Sequence, residues 1–234
     1  MTAEAAQPWD VEACVFDAYG TLFDLGSALS GAAAALGDRA EGVAALWRRK
    51  QLEYAWLRSL MDRYADFWAV TGEALDHALA AHGIVAPEIR ARLMSSYLAL
   101  KPYPDVRPVL AALHRRRMAA AILSNGTRSM LTAVVSHAGI TALLAEIISV
   151  DEVGVYKPHP AVYQRAVDRL GVPRERICFL SSNGWDVAGA ATFGFRAVWV
   201  NRAGAVPDCL PARAAAEIRD LSALPALLGV ATEP

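Results

Sequence analysis

The stretch Ala13-Cys14-Val15-Phe16-Asp17-Ala18-Tyr19-Gly20-Thr21-Leu22-Phe23-Asp24 governs how the rest of the chain is read. Its first four residues are uniformly apolar, the pattern of a strand buried on both faces in a parallel sheet. The run stops at an acid, a residue that strand interiors disfavour. Gly20 then supplies a turn where a side chain would obstruct the backbone, and Thr21 brings a hydroxyl beside the acid. Open α/β sheets bind ligands at the carboxyl ends of their strands, which puts the Asp17 carboxylate at the mouth of a cleft. Taken by itself, the stretch also fits an aspartate capping the next helix.

Between Asp24 and Lys101 the pattern is helical throughout. Gly26-Ser27 opens an alanine-rich helix that closes near Gly37. A long helix is expected over 41–68: Leu46, Tyr54, Leu57, Met61 and Tyr64 recur at helical spacing, and Trp47, Leu52, Trp56 and Leu60 widen the apolar surface. Such breadth predicts burial on two sides, against the core and against another helix or subunit. Thr71 is the expected cap of a further helix ending near Gly83. Pro87 suits the first turn of the next, which is expected to run to about Leu100.

Past the linker Lys101-Pro102-Tyr103-Pro104, helix and apolar strand alternate. Helices are expected over 105–117, 129–139, 160–170 and 187–194, and strands over 118–123, 147–150, 177–180 and 196–200. This alternation predicts a parallel sheet with helices on both faces. The strand before Asp17 belongs to that sheet. The fold class is therefore α/β, a Rossmann-like parallel core (12–23 plus 102–232) with an inserted all-helical cap (24–101). Residues 1–11 read as a loose arm. Residues 203–234 read as a loop, an edge strand over 216–219 and a last helix over 222–228.

Of the 234 residues, 55% are hydrophobic and 20% charged, ample material for a core and unlike a disordered chain. The net charge of −1, without a long basic block, excludes a nucleic-acid binder. Selection of an anionic substrate must then come from a few local cations. Cys14, Cys178 and Cys209 make an odd number, two of them in expected buried strands, which points to reduced thiols and not a disulfide framework. The first 13 residues lack the basic and apolar regions of a secretory signal, and no run is long enough to span a bilayer. A soluble cytoplasmic protein is expected.

Three further strand ends carry polar groups. One is Ser124-Asn125-Gly126, where a hydroxyl and an amide before a helix could hold a carboxylate. The others are Lys157, ahead of Pro158, and Ser181-Ser182-Asn183-Gly184-Trp185-Asp186. Read singly, the first fits a loop with helix caps and Lys157 fits a surface lysine. The last is too rich in polar side chains for a simple turn.

Together these clusters resemble, in order and spacing, the four motifs of the haloacid dehalogenase superfamily. The resemblance is closer still to its L-2-haloacid dehalogenase branch, and it covers residues 12–202. It rests on Phe16 to Asp24, Trp47-Arg48-Arg49-Lys50-Gln51-Leu52-Glu53-Tyr54, Leu123 to Gly126, Val155-Tyr156-Lys157-Pro158 and Ser181 to Asp186. Phosphatases of the superfamily carry a second acid two residues after the nucleophile and paired acids in the fourth motif, both serving magnesium. Here Tyr19 stands at the first position, and Asp186 is the one acid of the fourth motif. These are too few oxygen ligands for a magnesium–phosphate site.

The resemblance implies an (S)-2-haloacid dehalogenase, a hydrolase that turns short L-2-haloalkanoic acids into D-2-hydroxy acids with inversion. It implies Asp17 as the nucleophile that forms an aspartyl ester, and Lys157 as the cation that keeps it ionised. Opposite charges ~4 Å apart attract by about 4 kcal/mol at an effective dielectric near 20, before desolvation is subtracted. Arg48 and Asn125 would receive the halide. Ser124 and the N–H groups of Ala18 and Tyr19 would bind the substrate carboxylate, and Leu52, Phe67 and Trp185 would wall the alkyl group. Asp186 is the implied base or water-orienting group, with Ser181 and Asn183 placing water. Thr21 would fix Asp17, and Tyr163 would hydrogen-bond within the site.

No metal or organic cofactor is implied. The expected partners are the 2-haloacid, the released halide and a second copy of the chain in a homodimer, with no nucleic acid and no membrane. The alternatives are a magnesium-dependent phosphatase or phosphonate hydrolase on the same fold, and a binding module without turnover.

Overall fold

The computed structural model describes residues 9–29 and 33–229. Among them, six strands form one parallel sheet: β1 (Ala13–Phe16), β2 (Ala119–Ser124), β3 (Glu146–Ser149), β4 (Ile177–Ser181), β5 (Arg196–Val200) and β6 (Ala216–Ile218). Their order across the sheet is β3-β2-β1-β4-β5-β6. The α-helices are α1 (Ala33–Leu36), α2 (Ala40–Leu60), α3 (Phe67–Ala81), α4 (Pro87–Ser96), α5 (Val106–Arg115), α6 (Arg128–His137), α7 (Pro160–Leu170), α8 (Gly184–Phe193) and α9 (Leu224–Leu227). The α/β class with a Rossmann-like strand order is thus the one the alternating pattern predicts.

β1 is central, and all four of its residues are fully buried, which explains its unbroken apolar run. The strand order reverses direction beside it, at the β1–β4 switch point where such sheets bind ligands. Register does the rest of the positioning. Phe16 pairs with Ile122 on one side and Leu180 on the other. Asp17 therefore comes level with Ser181, while Ser124 stands one residue further along β2.

The segment between β1 and β2 departs from expectation in detail. The helix expected over 41–68 is two helices, since α2 stops at Leu60 and α3 starts at Phe67. Asp62 adopts a left-handed φ of 55°, and the Arg63 N–H bonds back to the Arg58 carbonyl. This is a C-terminal turn usually built on glycine. Apolar residues recur at helical spacing through the break, so spacing alone gave no sign of it. Yet Leu57, Leu60 and Met61 beside it are exposed, and the burial expected on two sides is not made there within the chain. The cap of α3 is Asp66, which accepts from the Ala69 N–H at 2.9 Å. Thr71, the expected cap, lies inside α3 and donates to the Phe67 carbonyl at 2.5 Å.

Smaller departures follow the same logic. The helix opened by Pro87 ends at Ser96, short of Leu100. The one expected after Gly26 is a 3₁₀ turn (Leu25–Leu29) and the short α1, with residues 30–32 outside the described set. The last helix is a 3₁₀ turn (Leu221–Ala223) leading into α9. Most of the expected N-terminal arm also lies outside the described residues; Trp9, within them, packs under the Arg196 guanidinium 4.9 Å from its ring centre.

Helix α8 approaches the 157–163 segment too closely for any side chain at Gly189. A Cβ there would lie 2.5 Å from the Pro158 Cβ and 2.6 Å from the Tyr163 hydroxyl. Gly189→Ala is expected to cost about 1–3 kcal/mol in unfolding free energy, the usual range for overpacking. Urea denaturation with an unchanged midpoint would show that this contact relaxes freely.

Candidate active site

Every carboxylate oxygen of Asp17 meets a donor from another segment. Oδ1 receives the Lys157 ammonium at 3.2 Å. Oδ2 receives the Thr21 hydroxyl at 3.1 Å, the Asn183 amide at 2.9 Å and the Ser181 hydroxyl at 3.4 Å. The side chain keeps 9% of its surface exposed, so the carboxylate is nearly enclosed yet not sealed. Thr21 reaches it because the chain turns tightly after β1: the Leu22 and Phe23 N–H groups both return to the Ala18 carbonyl. Gly20 makes this possible with a φ of 89°, at a point where a Cβ would sit 3.2 Å from the Ser182 Oγ. The Thr21 Oγ1 also accepts from the Ser182 N–H at 2.8 Å, tying the β1 turn to the β4 turn.

Lys157 is fully buried and shared. Its Nζ lies 2.9 Å from the Asp186 Oδ2 as well as 3.2 Å from Asp17. Burial pulls its pKa down, but the two carboxylates outweigh burial and leave it raised, so the ammonium stays charged. Asp186 has no exposed surface, and its other oxygen accepts from the Tyr163 hydroxyl at 2.8 Å. Burial pushes its pKa up to about 6; Lys157 opposes this, and the Asp17 charge adds to it. Burial and the neighbouring Asp186 push Tyr163 well above its ordinary value, so it remains a donor.

The end of β2 joins through its amide. The Asn125 Oδ1 accepts from the Lys157 N–H at 3.1 Å, which directs its NH₂ the other way. Ser124 is buried beside it, with its Oγ accepting from the Gly126 N–H at 3.2 Å. Arg48 comes from α2, its Nη2 donating to the Asn183 Oδ1 at 3.3 Å. Asn183 thus touches the Asp17 carboxylate with one end of its amide and Arg48 with the other.

Of the expected wall residues, Phe67 is buried with its ring centre 6.2 Å from that of Tyr19. Trp185 is half-buried and meets Trp56 of α2 edge-on at 5.3 Å. Leu52 is half-buried one helical turn after Arg48. The Tyr19 hydroxyl is buried without a hydrogen-bond partner among the described residues, and burial raises its pKa, so it stays a neutral phenol.

Sequence reasoning missed several supports. Gln51, Thr71 and Tyr97 form a buried group behind Arg48. The one available signal was a glutamine three residues after an arginine in an otherwise apolar helix face. Tyr64 and Tyr156 also join the inserted helices to the core. The Tyr64 hydroxyl bonds the Asp151 carboxylate at 2.5 Å, and the Tyr156 hydroxyl bonds the Ala65 carbonyl at 2.6 Å. Aromatic spacing carries no sign of either.

The Asp186 shift makes a testable statement about stability. Its pKa in the folded state lies above the ordinary aspartate value, so the folded protein binds more protons between about pH 4 and 6. The contribution of this carboxyl is fully present below about pH 4 and is lost as pH rises through about 6. Wild-type unfolding free energy measured relative to Asp186→Asn should therefore decline across that interval. A difference that rises with pH would contradict the assignment.

Residues 11–194 match the model of the haloacid dehalogenase-like hydrolase family. The chain is 46% identical over 219 residues to (S)-2-haloacid dehalogenase 1 of Pseudomonas sp. (strain CBS-3), covering 93% of this chain and 96% of that one. It superposes with a TM-score of 0.93 at 42% identity on a solved dehalogenase with an intermediate complex, covering 97% and 100% of the two chains. It also resembles the L-2-haloacid dehalogenase of Xanthobacter autotrophicus solved with chloropropionic acid covalently bound. There the TM-score is 0.86 and the identity 38%, over 95% of this chain and all of that one. With this match over most of its length, the chain belongs to the haloacid dehalogenase-like hydrolase family.

Proposed function

We propose that the protein hydrolyses short L-2-haloalkanoic acids to D-2-hydroxy acids, through an ester on Asp17 and with inversion at C2. The observation that carries this reading is the buried Lys157 ammonium between Asp17 and Asp186, which pairs with a strand-end carboxylate and positions it. Oδ1, with one donor against three on Oδ2, is the freer oxygen to attack C2. The C–X bond breaks as the C–O bond forms, and the halide leaves without needing a proton. Tyr19, held neutral by burial, stands where a phosphatase would place its acid.

Arg48 and the Asn125 NH₂ receive the halide. Ser124 and the Ala18 and Tyr19 N–H groups bind the substrate carboxylate, and Leu52, Phe67 and Trp185 enclose the alkyl group. Water then attacks the Asp17 carbonyl carbon as Asp186 takes one of its protons. The acyl C–O bond breaks, the leaving 2-alkoxide takes that proton back from Asp186 to become the 2-hydroxy acid, and the Asp17 carboxyl loses the other proton to solvent. Ser181 and Asn183 place that water and steady the charge on the intermediate. Thr21 holds the Asp17 carboxylate, and Tyr163 holds Asp186. Residues 24–101 act as a cap over the core of 12–23 and 102–232. The chemistry requires no metal and no organic cofactor.

The chain acts as a homodimer in the cytoplasm. Free cysteines, two of them buried, suit a reducing compartment. Leu57, Leu60 and Met61 at the end of α2 are 43%, 82% and 59% exposed, an apolar ridge that a second copy would cover. Among the described residues, no helix is long and apolar enough to cross a membrane.

A single turnover in heavy-oxygen water, with enzyme in excess over 2-chloropropionate, tests the chemistry. The label should enter Asp17 and leave the first product unlabelled, and Asp17→Ala should abolish chloride release even though wild type works in chelator. Label in the first product would remove Asp17 as nucleophile, and phosphate release dependent on magnesium would favour the phosphatase. For assembly, sedimentation at micromolar concentration should give a dimer, and Leu60→Glu with Met61→Glu should give a folded monomer. A wild-type monomer would remove the dimer and leave the chemistry standing.

A further inference from the structure

Gln51 has no exposed surface, although a buried primary amide is costly unless its groups are paired. Its Nε2 lies 2.7 Å from the Thr71 Oγ1. Its Oε1 lies 2.8 Å from the Arg48 Nη1 and 3.4 Å from the Tyr97 hydroxyl. The two ends of an amide are ordinarily interchangeable in a structure. Here they are not. Thr71 spends its one hydrogen on the Phe67 carbonyl at 2.5 Å, so its oxygen can only accept from Gln51. The NH₂ must then face Thr71, and the carbonyl must face Arg48. A directed chain runs from the backbone of α3 through Thr71 and Gln51 into the guanidinium.

The second partner of Arg48, the Asn183 Oδ1, is also a neutral amide oxygen. Among the described residues Arg48 makes no ion pair, whereas Lys50 and Arg58 on the same helix pair with Glu53 and Glu73. We infer that Gln51 is a positioning residue: it aims Arg48 through a neutral carbonyl, so that the full guanidinium charge remains available to the departing halide. This rests on the reading of Arg48 as the halide receiver. A carboxylate at the same place would aim the guanidinium equally well but cancel its charge. That is the physical reason for glutamine over glutamate.

Gln51→Glu separates aiming from charge, because the two side chains have nearly the same shape. Protonated, the new acid can accept from Arg48 and donate to Thr71 as the amide does; ionised, it neutralises Arg48. Turnover of chloroacetate by the variant should fall about 10²-fold at pH 8.5, the usual scale for losing one donor to a developing anion. The ratio of variant to wild-type kcat should then rise as pH is lowered towards the glutamate range, while the acid form grows in. Inhibition by added chloride should weaken in parallel. Gln51→Met, which removes the aim without adding charge, should weaken chloride inhibition with a flat pH ratio.

Thr71→Val gives a second route. It frees the amide to turn and should weaken chloride inhibition, while Thr71→Ser, which keeps the hydroxyl, should recover most of the loss. Wild-type behaviour of Gln51→Glu at every pH, or the same pH-independent loss in Gln51→Glu and Gln51→Met, would overturn the inference. So would chloride inhibition unchanged in Thr71→Val. Arg48→Ala is the control for the reading beneath it: undiminished chloride release in that variant would refute Arg48 as halide receiver, a result distinct from any Gln51 outcome.

Discussion

Lys157 puts one positive charge between the carboxylates of Asp17 and Asp186, with no more than 1% of its own surface exposed. Removing one member of a buried ion group typically costs about 3–5 kcal/mol, because the remaining charge is left without a partner. The protein can keep two anions and one cation inside only by satisfying nearly every lone pair around them. Tyr163 serves Asp186, while Thr21, Ser181 and Asn183 serve Asp17. The Lys157 loop is fastened in turn by Asn125, through a backbone N–H.

That demand explains much of the core's shape. Four segments from distant parts of the sequence must end at one height, and a parallel sheet with β1 in the middle does this through its ladder. Helix α8 must come close enough for Asp186 to meet Lys157 and Tyr163 together, and the bare backbone of Gly189 allows that approach. Around this charged centre the aromatic rings of Tyr163, Phe179, Phe193 and Phe195 pack against one another, excluding water from its floor. Low polarability there strengthens the attraction between Lys157 and its partners and raises the cost of ionising Asp186.

The inserted helices bring the second cation. Arg48 projects from α2, and its placement depends on contacts that hold α2 and α3 to each other and to the core. Gln51 and the Trp47 indole both bond Thr71, the former to its hydroxyl and the latter to its carbonyl at 2.8 Å. Tyr64, Tyr156 and Trp56 bind the far end of the insertion to the 151–156 loop and to Trp185. Positive charge at Arg48 and negative charge at Asp17 are thus separated by one amide, that of Asn183. This spacing suits a reaction in which negative charge moves from a carboxylate oxygen towards a departing anion.

The sequence by itself determined the sheet, its parallel sense and the level at which Asp17, Ser124 and Ser181 emerge, because apolar runs that end in polar residues are local signals; Lys157, in the loop beyond β3, was singled out for a role only by the resemblance. It also carried the resemblance that implies roles for Arg48 and Asn183. It did not show the break at Asp62, where an aspartate does the work of a glycine without interrupting the helical spacing. Nor did it show that both oxygens of Asp186 are held, or that Gln51, Thr71 and Tyr97 stand behind Arg48. Those facts belong to the tertiary structure, since burial, amide direction and the sharing of one cation between two acids arise only when segments far apart in the chain are brought within hydrogen-bonding distance.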